Sequence, residues 1–379
     1  MMRNAVRTLL GTCLVALAPW LTGCGAFFLN STTTSTTATG TSFAYVANAT
    51  TDTVAGYALA SGALVAVASS PYTIGISPNS IVVTPANTFL YVGGLGAIYG
   101  YSIGSAGALT ALSSGAALAT ASAVSLDVSP NGEWLLALDS SGVAVDEYEI
   151  NTSTGALTAA TGATISLTGS GSTAPRMVKF APSGAYVFAA MGTGGDAVFT
   201  FNQTTGALAQ AQSLAGSSAT SDNGLTVDAN SAYLYIARSG TGSGVAAYSI
   251  GSGGALSTVA GSPFAAGNGP YSVVLDLTGT YLYAANRTDG TVSGYTVASG
   301  VLTALSGSPY ASGSLVTALG RDALGKYVVA AAEGGSSDLT MYSFDAITPG
   351  KLDAVSVTAT GTDPTGAIAV ALTHTSAGL

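Results

Sequence analysis

The sequence predicts an all-β chain built as a seven-bladed β-propeller, and three observations carry that prediction. A Gly-x-Leu mark recurs seven times, at Gly62, Gly107, Gly155, Gly206, Gly254, Gly300 and Gly350, at intervals of 45 to 51 residues. Two columns keep step with it. One reads Tyr45, Tyr91, Leu136, Phe188, Tyr235, Tyr283 and Val329; the other reads Tyr57, Tyr101, Tyr148, Phe201, Tyr248, Tyr295 and Tyr342. A period in the forties with four short strands per unit marks a propeller rather than a linear stack of sheets. The third observation is at the ends. The first unit opens on Phe43-Ala44-Tyr45-Val46, which matches a second strand, while Pro364 to Ala371 follows the last unit and matches a first strand such as Pro78 to Val83. The C-terminal strand is therefore expected to close the ring beside the N-terminal one and to leave no open sheet edge there.

The unit is clearest between Pro270 and Leu302. Pro270 to Leu275, Tyr281 to Asn286 and Thr291 to Val297 are rich in β-branched and aromatic residues, as strands are. Thr278-Gly279 and Asp289-Gly290 supply the turns between them. A fourth strand begins near Leu302. One such sheet exposes two edges and two apolar faces, so it needs its neighbours.

The ends of the chain have a different composition. Residues 1–23 read as a secretion leader, with Arg3 and Arg7 ahead of a short apolar core. The leader ends in Leu21-Thr22-Gly23-Cys24, which resembles a bacterial lipobox. Cys24 is thus the expected lipidation site, and Gly25 behind it points to an outer-membrane address, periplasmic or surface facing. Residues 24–41, nearly all Ser and Thr from Asn30 onward, read as a flexible tether, and 42–379 as the propeller. Contact with the membrane is expected only through the lipid.

Hydrophobic residues make up 48% of the chain and charged residues 7%, so an ordered core is expected over the body. Loss of Arg3 and Arg7 with the leader would move the formal net charge from −9 to −11. So few cations cannot track a phosphate backbone, which argues against nucleic acid as a partner. Of the two cysteines, Cys13 would leave with the leader, so no internal disulfide is expected. His374 is the only histidine, read as a surface residue near the C-terminus. With one histidine and one remaining cysteine, no metal cluster is expected from imidazole or thiolate, a Ser-His-acid triad is unsupported, and no cofactor is expected.

In a propeller the links before first strands and those between second and third strands share one face, at the mouth of the central channel. Arg176, Arg238 and Arg287 fall there in consecutive blades, with Asn286, Asp289 and Glu333. Arginine binds carboxylate or phosphate through two parallel N–H donors, so a small anionic ligand is the partner this face suits. The bland alternative for Arg287 is a loop cation paired with Asp289. Asp222, Asn223, Asp228 and Asn230 lack calcium-loop spacing and read as turn residues.

Leu282-Tyr283-Ala284-Ala285-Asn286-Arg287 resembles the Leu-Tyr-Ala-Ser-Asn-Arg motif of the seven-bladed lactonase propellers. These include the 6-phosphogluconolactonases and carboxymuconate-cyclising enzymes, with wider kinship to YVTN-type surface propellers. The resemblance spans nearly the whole body and implies an active-site role for Arg287. Ala174-Pro175-Arg176 through Asp196-Ala197-Val198 resembles a second family segment, with Arg176 where the family has histidine and Ala197 where it has arginine. The family's Arg-His falls at Asn223-Gly224 and its glutamate at Ser239. On that basis the leading expectation is a lipid-anchored binding or cell-envelope interaction scaffold. The alternative is a lactone hydrolase with a rearranged site, using Arg287, Arg176 and Glu333 for chemistry and Arg238, Asn286 and Asp289 for binding.

Overall fold

Short apolar runs such as Phe43–Asn48 and Phe89–Gly94, buried along their whole length between neighbouring sheets, build the blades, and the short links leave each strand antiparallel to the last. The computed structural model describes residues 42–335, 338–358 and 370–374. The leader, Cys24 and the tether lie outside these residues, as do residues 364–369 of the expected closing segment.

Among the described residues there are seven antiparallel sheets. Blade 1 runs outward from Val370–Leu372 through Phe43–Asn48 and Thr53–Ala60 to Ala63–Ala66. Blades 2 to 7 follow in chain order, with inner strands Pro78–Val83, Ala123–Val128, Met177–Phe180, Thr220–Val227, Pro270–Leu275 and Ser314–Arg321. In blades 1, 3 and 6 the third strand pairs with a further short piece, Tyr72–Thr73, Ala163–Thr164 and Tyr310–Ala311, so those sheets have five strands where four were expected.

The ring closes as the ends required. Val370, Ala371 and Leu372 pair with Val46, Tyr45 and Ala44. Phe43 N–H donates to Thr373 Oγ1 at 2.9 Å, and Thr373 N–H donates to Phe43 O at 3.0 Å. Leu372 enters the core shared with blade 7, beside Ala318, Val329 and Met341, while Ala371 joins the core shared with blade 2. His374 is not the free surface residue expected. Its main chain exchanges two hydrogen bonds with the Asn87 amide, at 2.6 and 2.8 Å, and its Nε2 lies 3.0 Å from Val83 O. It follows the closing strand where Pro85 and Pro130 follow theirs, so the strand's docking draws it into the rim of the channel.

The Gly-x-Leu mark has a physical cause. Every one of these seven glycines has φ between +71° and +84°, a region costly for residues with a Cβ. Six of them seat on the aromatic ring that opens the second strand of the preceding blade: Phe43 under Gly107, Phe89 under Gly155, Trp134 under Gly206, Tyr186 under Gly254, Tyr233 under Gly300 and Tyr281 under Gly350. At the seventh, Gly62 N–H donates to Tyr327 Oη at 2.9 Å across the closure. The buried tyrosine column completes the joint. Tyr45, Tyr91 and Tyr283 donate to Gly107 O, Gly155 O and Gly350 O at 2.8, 3.0 and 2.7 Å.

The inner strands are tied sideways as well. Ser80, Ser125 and Ser272 Oγ accept from Leu126, Val178 and Leu319 N–H of the next blade, at 2.6 to 3.2 Å. The channel they surround holds a cavity of about 300 Å³, lined at its rim by Lys179, Asp127, Arg321 and His374, on the face opposite the arginine-bearing links.

Candidate functional site at the channel mouth

Two columns of the repeat bring the site together. Counted from the buried ends of the inner strands (Phe180, Val227, Leu275), Arg176, Asn223 and Tyr271 occupy one place in blades 4, 5 and 6. Counted from the buried column Tyr235, Tyr283 and Val329, Ser239, Arg287 and Glu333 occupy another in blades 5, 6 and 7. Equivalent places in successive blades face the axis from neighbouring directions, so residues far apart in sequence meet there.

Tyr271 sits on a bulge. Pairing steps from Pro270 with Asn286 to Ser272 with Ala285, leaving Tyr271 as the extra residue. A bulge re-aims its extra side chain. The Arg287 guanidinium lies over the Tyr271 ring, with Cζ 5.6 Å from the centroid. Arg287 Nη2 donates to Glu333 Oε2 at 2.6 Å. The Arg176 charge also acts on the Tyr271 hydroxyl. Burial pushes that hydroxyl's pKa up, while Arg176 and Arg287 pull against it. Glu333 keeps only 10% of its side-chain surface exposed, and its Oε1 is enclosed without a donor, while Arg176 Nε–H and Arg287 Nε–H are enclosed without acceptors. Buried polar atoms without partners are uncommon, and here three cluster around one tyrosine.

The other expected ligand-binding residues are engaged elsewhere. Asp289 accepts from Asn268 N–H and Nδ2–H at 2.7 and 2.8 Å, which lowers its pKa, so Arg287 pairs with Glu333 rather than with Asp289. Asn286 is fully buried. Its amide donates to Thr291 and Ser293 hydroxyls and accepts from Gly267 N–H, so it fixes the link instead of facing a ligand. Arg238 donates twice to Asp222, both at 2.6 Å, and once to Tyr248 Oη at 3.1 Å. Asp222 is thus an ion-pair member and not a turn residue, whereas Asp228 does cap its turn through Asn230, Ala232 and Tyr233 N–H. Beside this pair, Asp196 is buried with both oxygens lacking donors. Burial, then the Asp222 charge, raises its pKa well above the usual carboxylate range. The site therefore favours the neutral form of Asp196 beside the Arg238–Asp222 pair.

Tyr271 escaped the sequence reading because it carries no charge and belongs to no motif. The available signal was its column, which places it level with Arg176 and Asn223.

The model of the lactonase family, described as "Lactonase, 7-bladed beta-propeller", matches residues 35–221 and 197–314. The chain belongs to this family. No protein of curated function matches it by sequence. Solved structures share the fold at low identity. A candidate 6-phosphogluconolactonase of Bacteroides fragilis is 18% identical with a TM-score of 0.69, over 87% of this chain and 97% of that one. The periplasmic gluconolactonase of Pseudomonas aeruginosa is 16% identical with a TM-score of 0.68, over 88% and 99%. The hydrazine synthase of Kuenenia stuttgartiensis is also 16% identical, with a TM-score of 0.57 over 76% and 88%. The fold is therefore shared by differently named proteins, and chemistry must be argued from side chains.

Within the lactonase family, this chain departs from the resemblance at connected places. Asn223 and Ser239, which stand at family positions for arginine and glutamate, hydrogen-bond each other at 3.2 Å. The amide also donates to Pro270 O at 3.0 Å, just before Tyr271. Asn223 and Ser239 thus form a neutral brace in blade 5, while Arg176, Arg287 and Glu333 carry charge in blades 4, 6 and 7.

Proposed function

We propose that the protein is a lactone hydrolase acting on sugar-acid lactones at the channel mouth. The observation carrying this reading is the arrangement of Arg176, Arg287 and Glu333 around Tyr271, within a chain of the lactonase family. Ring opening needs a base for the attacking water and donors for the oxyanion. Glu333 Oε1, free of any donor, takes the water's proton. The guanidinium groups of Arg287 and Arg176 stabilise the oxyanion and then the product carboxylate.

The test is hydrolysis of gluconolactone and 6-phosphogluconolactone, followed by proton release. Glu333→Gln is expected to lower kcat at least about 10²-fold, the lower end of what a general base supplies. Arg287→Ala should lower kcat/KM and also stability, by about 1–3 kcal/mol, because it strands a buried carboxylate. The double variant should recover part of that stability. Unchanged turnover in Glu333→Gln would remove Glu333 as the base.

A binding scaffold is the second reading. It is favoured by one observation, the replacement of family charges by Ala197, Asn223, Gly224 and Ser239. Lactones that raise the melting temperature but are never hydrolysed would decide for it.

A further inference from the structure

We infer that Tyr271 is the general acid of the reaction, delivering its phenolic proton to the ring oxygen that leaves when the lactone opens. The inference rests on the hydrolase reading above and goes beyond it by assigning the leaving-group step to a residue outside every family motif considered.

The geometry gives three reasons. First, arginine has donors and no acceptor. Neither Arg287, stacked on the Tyr271 ring, nor Arg176 can accept the phenolic hydrogen, which is left to point at a substrate. Second, Arg176 at the hydroxyl and Arg287 over the ring both stabilise the phenolate formed once the proton has gone. Burial meanwhile keeps the resting group protonated at neutral pH. Third, the bulge itself is not particular to this site. Asn79 in blade 2 and Thr317 in blade 7 are the extra residues of matching bulges, yet neither is an acid. Only in blade 6 does the bulge aim a phenol between two cations and a carboxylate.

The step balances. Water adds to the carbonyl carbon and gives one proton to Glu333. The bond from that carbon to the ring oxygen breaks, and Tyr271 protonates the departing oxygen. The carboxylic acid of Glu333 then returns its proton to the Tyr271 phenolate, directly or through water. The net change is lactone plus water to hydroxy acid, with both residues restored.

The experiment compares alkyl and aryl lactones. An alkyl alkoxide is a poor leaving group and needs the acid, whereas a phenolate leaves without one. Tyr271→Phe is expected to lower kcat on gluconolactone by about 10²- to 10⁴-fold with little change in KM. It should leave kcat on dihydrocoumarin, an aryl lactone, within a few fold. Equal loss on both, or loss on neither, overturns the assignment while leaving the hydrolase reading intact. A wild-type protein that opens neither lactone instead sinks the hydrolase reading itself. If Tyr271→Phe fails to fold, the wild type still decides. Across lactones whose leaving groups run from alkoxide to phenolate, log kcat should be nearly flat against leaving-group pKa, and a steep dependence removes Tyr271 from the role.

Discussion

At the scale of single residues, this protein places few charges and encloses several of them. Glu147 is the clearest case away from the channel mouth. It lies on the third strand of blade 3, 2% exposed, with Oε1 lacking a donor, and burial raises its pKa from 4.5 to about 7. The unfolded chain releases this proton near pH 4.5 and the folded chain near pH 7. Between those values the folded state holds the extra proton, so stability falls as pH rises through that window. Glu147→Gln should flatten this part of the profile and raise the melting temperature at pH 8 relative to the parent. Denaturation midpoints measured from pH 4.5 to pH 8 check it; a parent profile that rises with pH, unaltered by the substitution, would contradict it.

At the scale of the element, the joint between blades is a glycine on a ring. Gly155 has φ +72°, and a Cβ there would fall 2.8 Å from Phe89. Gly62 has a similar φ of +81° but open space around it. The pair separates backbone strain from packing. Gly62→Ala is expected to cost about 1–2 kcal/mol for the left-handed conformation alone. Gly155→Ala adds an overpacking cost of about 1–3 kcal/mol on top of that. Chemical denaturation of both variants measures the difference. Equal losses would mean that the ring beneath Gly155 yields, and that the mark is conformational only.

At the scale of the whole molecule, stability depends on a three-strand-residue closure with no disulfide behind it among the described residues. Val370 to Leu372 covers the exposed edge of Phe43–Asn48 and feeds side chains into the cores on both sides. Truncation before Val370 should uncover that edge and open two cores together. The expected result is a lower melting temperature with association, since an uncovered edge is a template for pairing. Light scattering and thermal melts test this, and a truncated chain that stays monomeric and melts with the parent would show that the ring holds without its closing strand. The channel-mouth cluster spans blades 4, 6 and 7, so loosening the ring should also impair the site.

Much of the architecture was legible in the sequence because a repeat writes the same physical requirement seven times. The glycine mark, the two aromatic columns and the mismatched ends each follow from local conformation or from burial, which are sequence-periodic properties. Arg287 was legible through its motif. What the tertiary structure decided was partnership. Closure of the ring places Arg287 against Glu333 rather than against its near neighbour Asp289, because equivalent positions in adjacent blades converge on the axis while Asp289 turns to Asn268. It likewise gave Arg238 to Asp222. The surroundings of Tyr271 are visible only in three dimensions. A tyrosine at the start of a strand is ordinary in a chain with 18 of them, until a one-residue bulge sets it between two arginines.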